Sequence, residues 1–192
     1  MNSNITKLSE IGISTPRDLI LKLQYELDKI KIERNDYDIF NFIITSAILS
    51  EWIPKHYKEI DDAKNYKTAV TSNNSWNLLP KKSEDWIPEF NHHLNSGPEI
   101  RYHIVNAIRL AWQITNASKH YEWRSSSQVT EIQKNPIVRN WHQWTFSSRN
   151  LDIYFEFEGH SYSFSEIQHL ILNFHKNFVD FLDRKKDLAS QS

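Results

Sequence analysis

The chain has 192 residues, with 23 Lys and Arg against 24 Asp and Glu and a formal net charge of −1, so no global field draws it to nucleic acid or to an anionic membrane. It has no cysteine, which excludes disulfides, iron–sulfur clusters, thiolate zinc sites and cysteine nucleophiles. Hydrophobic residues make up 39% and aromatic residues 13%, while Gly numbers three and Pro six; this describes a folded chain with a core of large rings, built from long helices rather than from loops or an all-β sheet.

The length suits one domain over 1–192. Residues 1–14 are polar with scattered apolar positions and read as a loosely held arm. The N-terminus has no apolar signal core and no apolar run approaches the roughly 20 residues of a membrane span, so the expectation is a cytoplasmic protein without a membrane partner. Thr15-Pro16 reads as a helix cap and first helical residue, and Leu19, Ile20, Leu23, Leu27 and Ile30 recur at helical spacing toward Arg34. After Asn35-Asp36 the segment from Tyr37 to Ile53 is far more apolar and reads as a buried helix that carries Asp38, Asn41 and Thr45 on one face. Pro54 is expected to kink or end it. Residues 55–67 are charged and compatible with helix, 68–83 read as loop, and Ser83 to Leu94 suits a short helix.

Pro98 to Trp123 has room for roughly seven turns of helix without a breaker. Stepping about 100° per residue places Tyr102, Asn106, Arg109, Gln113, Asn116 and His120 on one line. The rest of the circumference is mostly apolar or small, Trp112 included, so the helix is expected to be buried nearly all round with one polar stripe that needs partners or a ligand. Beyond Trp123 the pattern alternates: Gln128–Gln133, Trp141–Phe146, Leu151–Phe157 and His160–Phe164 read as strands, with Glu158-Gly159 as a hairpin turn. From Ser165 onward Ile167, Leu170, Ile171, Phe174, Phe178 and Leu182 mark a closing helix. The expected fold is mainly α: a helical bundle with a small antiparallel β-sheet inserted before the C-terminal helix.

The stripe admits two uses. As a ligand site, Arg109 clamps an anion, Gln113 and Asn116 donate hydrogen bonds and His120 acts as general acid or base, with Tyr102, Asn106, Arg124, Asp38 and Asn41 extending the lining. As a structural network, the same groups pair with Asp38, Asn41 and Thr45 across two buried helices, fixing their register. No three ligands stand at recognised zinc spacing among His92, His93, Glu89, His103, His169 and His175, and no glycine-rich phosphate loop, dinucleotide fingerprint or nucleophile elbow is present. Arg139 to Trp144 interleaves rings with hydrogen bonders, as a core strand or a base-stacking platform does.

Asn116 followed four residues later by His120 on a long helix resembles the signature of HEPN domains, which occur in prokaryotic toxins and phage-defence systems. The resemblance implies an all-helical core, an RNA ligand, metal-independent endoribonuclease activity without a cofactor, and a homodimer whose active site forms where two such helices meet. Asn116 matches the polar position of the motif and His120 its His, while Thr115 stands where the family places Arg. A guanidinium would then come from Arg109 or Arg124, on another turn or across a two-fold interface. Two further readings stay open beside this one: a non-catalytic protein-interaction module, and a pocket that binds a nucleotide signal without turnover.

Overall fold

The computed structural model describes residues 12–87, 99–120, 129–136 and 151–191. The chain folds mainly as helices, with a small antiparallel sheet before the last one, as the patterning predicts. Five α-helices are present among the described residues: α1 Pro16–Ile32, α2 Asp36–His56, α3 Asp61–Thr71, α4 Ile100–His120 and α5 Phe164–Ser190. Two 3₁₀ turns, Trp76–Leu78 and Lys81–Glu84, lie between α3 and α4. Strands β1 Val129–Pro136, β2 Leu151–Phe157 and β3 His160–Ser163 form one sheet in the order β1-β2-β3. No helix among the described residues is long and apolar enough to cross a membrane.

Local chemistry sets the ends of these elements. Thr15 and Asp18 cap α1 reciprocally, Asn35 caps α2 through Asp38 N–H, and Ser163 and Glu166 form a second capping box at α5. Glu158 and Gly159 have φ of +52° and +75°, the left-handed pair that a two-residue type I′ hairpin requires. That turn brings Phe157 opposite His160 and Phe155 opposite Tyr162. Ile153, Phe155 and Phe157 alternate into the core, as period-two patterning demands.

Several boundaries differ from expectation. Pro54 lies inside α2, which continues to His56. Proline removes one intrahelical bond, that to the Ser50 carbonyl, but Ile53 and Tyr57 around it are fully packed and hold the last turn in place. Helix α3 covers Asp61–Thr71, later than the charge pattern placed it, because Ala63, Tyr66 and Ala69 supply its buried face. Ser83 belongs to a 3₁₀ turn rather than to a helix start. Of the expected arm at 1–14 only residues 12–14 are described, where Ile13 packs on the core and the Ser14 N–H donates to the Asp18 carboxylate at 2.9 Å; the expected helix beyond Ile87 and the expected strand Trp141–Phe146 lie outside the described residues.

Helix α4 packs against α2, α3 and α5, against β1 and against both 3₁₀ turns. Ile104, Val105, Ala107, Ile108, Leu110, Ala111 and Ile114 are buried around it. Arg101 fastens the 3₁₀ region to its first turn: Nη1 donates to the Asn77 and Leu79 carbonyls at 3.2 Å each, and Nε lies 3.0 Å from Glu84. Arg17 of α1 pairs with Asp180 and Asp183 of α5 at 2.8 and 2.7 Å.

The polar face of α2 does not meet the stripe of α4, and the structural network expected between them is corrected accordingly. The three-residue connection Glu33–Asn35 folds α1 and α2 into an antiparallel pair, which turns that face toward α1. Asp38 is paired with Lys29 at 3.0 Å, and Thr45 bonds Glu26 at 3.2 Å and Lys22 at 2.6 Å, while Asn41 is exposed. The hydrogen bond from Lys29 holds the Asp38 carboxyl below its ordinary range.

Deep in the core, Tyr66 Oη and His175 Nε2 lie 2.8 Å apart, with both residues fully buried. Burial pushes the His175 imidazole down from its ordinary 6.5 to about 3. Below pH 6.5 the unfolded chain therefore takes up a proton that the folded chain refuses, and stability falls as pH drops from 6.5 toward 3. The slope reaches at most about 1.4 kcal/mol per pH unit. Urea midpoints measured at pH 7 and pH 5 are expected to fall less in the double variant Tyr66→Phe/His175→Leu, which removes both polar partners together.

Candidate functional site

The stripe of α4 divides into a half buried against the hairpin and a half that borders cavities. Asn106 is 1% exposed; its Nδ2 donates to the Tyr162 hydroxyl at 3.2 Å, and His103 Nδ1 lies 2.9 Å from the same oxygen. A hydroxyl that accepts from Asn106 keeps its own proton for the ring nitrogen. Burial raises the Tyr162 hydroxyl well above its ordinary value, so it stays protonated at any physiological pH. Tyr102 is half-buried and meets His160 edge-on at 5.6 Å. These four rings and one amide join α4 to the β2–β3 hairpin.

Arg109 stands at the middle of the stripe. Nη2 donates to Asn73 Oδ1 at 2.6 Å, Nη1 lies 3.4 Å from Glu158 Oε1, and the guanidinium carbon sits 5.8 Å from the Phe157 ring centroid. The loop after α3 and the hairpin turn thus orient one cation from two sides. Gln113 and Asn116 follow, both half-buried. The side chain of His120 and the whole of Arg124 lie outside the described residues. Arg109 and His120 are eleven residues apart, which is about 16 Å along a helix, so within one chain they do not share a small ligand atom. Thr115, at the position of the family Arg, is 6% exposed and its hydroxyl donates to the Ala111 carbonyl at 2.9 Å. An arginine there would enter the core.

Two cavities border Arg109. The larger, about 420 Å³, is a cleft between α2, α3 and α4. Pro54, Val70, Ile108 and Trp112 supply its apolar lining, Ser50, Thr71 and Gln113 its neutral polar groups, and Lys55, Lys67, Arg109 and Glu51 its charges. Three cations face one carboxylate. The Lys55–Glu51 pair at 3.6 Å is exposed and screened, and so contributes little to holding either side chain. The smaller cavity, about 100 Å³, lies on the other side of Arg109, among the loop Asn73–Trp76, residues Tyr102 and Asn106 of α4, and Glu158 of the hairpin turn.

Trp112 corrects the expectation that α4 is apolar and covered off the stripe: it is 46% exposed and forms part of the cleft. It follows Arg109 by three positions and borders the stripe at about 60°, a placement that periodicity contains. Lys55, Lys67, Asn73 and Glu158 carry no such local signal, because only the tertiary fold brings them to α4. Among the described residues no group of three or more His, Asp or Glu is placed to hold a metal ion. Glu89, His92, His93, Trp141 and Trp144 lie outside the described residues.

Comparison of the chain with protein-family models, with curated proteins and with solved structures finds no match. The HEPN resemblance accordingly rests on Asn116 and His120 and on the helical setting around them.

Replacing Tyr162 by Phe removes the oxygen that Asn106 and His103 both approach within the core. Tyr162→Phe is expected to lower unfolding stability by about 1–3 kcal/mol, read from urea denaturation at constant slope.

Proposed function

We propose that the chain binds a nucleotide-class ligand, an aromatic ring carrying phosphate, in the cleft between α2, α3 and α4. The observation that carries this is an indole, 46% exposed, standing beside Lys55, Lys67 and Arg109 on a cleft of about 420 Å³. Such a volume falls in the range of small-molecule sites, roughly 300–1,000 Å³. An exposed tryptophan offers a stacking face to any base, and the surrounding ammonium and guanidinium groups favour the phosphate. Arg109 is already oriented by Asn73 and Glu158, so little side-chain entropy is lost on binding.

A HEPN-like, metal-independent ribonuclease in phage–bacterium conflict is a second reading, favoured by one feature. Gln113 lines the cleft, and Asn116 and His120 continue its stripe over the next two turns, so an RNA strand seated on Trp112 would run toward them. This reading draws its guanidinium from Arg109, Arg124 or a second copy of the chain. Self-association or another protein partner would use the outward stripe of α1, where Leu21, Tyr25 and Ile32 are exposed at helical spacing.

Titration with the four ribonucleoside monophosphates, followed by tryptophan fluorescence and calorimetry, tests the binding reading. Saturable binding is expected, weakened about 5- to 100-fold by Trp112→Ala. Lys67→Ala should weaken binding further and flatten its dependence on salt. Absence of binding, or binding indifferent to Trp112→Ala, overturns the proposal. Incubation with RNA in the presence of EDTA separates the two readings. No cleavage is expected from a binding protein, whereas cleavage abolished by His120→Ala at matched circular dichroism would establish the ribonuclease.

A further inference from the structure

The 100 Å³ cavity behind Arg109 differs in charge from the cleft it adjoins. Its charged groups are Arg109 and Glu158, one of each sign and 3.4 Å apart. The rest of its polar lining is neutral: Asn73, Asn74, Ser75, Tyr102 and Asn106. A phosphate placed here would gain the guanidinium and face the carboxylate, with no net attraction, whereas the cleft is also lined by Lys55 and Lys67. A neutral group with paired hydroxyls suits it better. One hydroxyl can donate to Glu158 while its neighbour accepts from a side-chain amide or from Arg109, and a carboxylate acceptor makes the stronger, charge-assisted kind of bond. The volume accommodates about three waters, or a group the size of a sugar ring.

We propose that this cavity is a vicinal-diol subsite, which takes the ribose hydroxyls of the same ligand whose base and phosphate occupy the cleft, and so selects ribonucleotides over deoxyribonucleotides. The inference rests on the nucleotide reading of the cleft. Arg109 borders both cavities and is the point around which the ligand turns from one to the other. Asn106 and Tyr102 are fixed from behind through Tyr162 and His160, so the subsite exists before the ligand arrives. The diol source is either a free ribonucleotide or a nucleotide at the 3′ end of an RNA strand; both present the same chemistry.

The test compares each ribonucleoside monophosphate with its 2′-deoxy counterpart on the unaltered protein, by calorimetry at fixed ionic strength. Ribonucleotides are expected to bind about tenfold or more tightly, since the deoxy ligand forgoes a charge-assisted hydrogen bond to Glu158. Glu158→Gln keeps the size of the side chain and should bring the ribo-to-deoxy ratio to within about twofold of one. Equal affinity of both ligands for the unaltered protein overturns the diol subsite and leaves the cleft reading intact, whereas binding of neither overturns both. A short RNA ending in a 3′-phosphate, tested beside one ending in a 3′ diol, identifies the source. Discrimination against the phosphate end assigns the subsite to a strand terminus, while weak binding of both strands beside tight mononucleotide binding assigns it to a free ligand.

Discussion

Burial of α4 is the constraint from which the rest of the molecule follows. A helix enclosed by other helices, a sheet and two 3₁₀ turns has few directions in which a polar group can reach water, so each such group must find a partner or border a cavity. Arg101 is absorbed by the 3₁₀ region, Asn106 and His103 by the Tyr162 hydroxyl, and Thr115 by its own helix. Arg109 pairs with Asn73 and Glu158 and lines open space on both sides. These pairings hold the frame, and Arg109, which also borders two cavities, is where the proposed ligand would sit.

Charge is sorted around that arginine. On the side of α2 and α3 the lining is apolar with a cationic rim, whereas on the side of the loop and the hairpin it is polar and neutral overall. Glu158 occupies a left-handed turn position, held between Phe157 and His160 by the register of β2 and β3. The sheet therefore does more than cover the core; its turn delivers the one carboxylate that neutralises Arg109 from the sheet side. A side chain fixed in this way interacts with an incoming group without first having to reorganise.

Helix caps and hairpin chemistry were the most legible parts of the sequence. Thr15-Pro16 marks a helix start through local bonds, and Glu158-Gly159 marks the hairpin turn through backbone conformation, both of which depend on a few neighbouring residues. The polar stripe of α4 was equally legible, being a matter of helical period. What periodicity cannot state is which neighbour faces which side. Asp38 and Thr45 share a face of α2, and the short connection to α1, not the presence of a polar stripe elsewhere, decides that this face meets Lys29 and Glu26. Helical period puts Trp112 off the polar stripe, on the side expected to be covered, whereas its exposure comes from the cleft that α2, α3 and α4 leave between them, a property of the assembled bundle. Pro54 inside α2 is a similar case, in which packing at Ile53 and Tyr57 overrides a local breaker.

The pairing of Arg17 with Asp183 has a consequence for the order in which the chain is made. The two residues are 166 positions apart. At ordinary elongation rates of about 5–20 residues per second, α1 emerges roughly 8–33 s before its partner on α5 exists. During that interval α2, which follows after three residues, supplies the first cover for the apolar side of α1, helped by the Lys29–Asp38 pair. The nascent chain thus carries a helical hairpin early and completes its enclosure only with its final helix, which makes the α1–α2 pair the segment most exposed to chaperones and to premature association during synthesis.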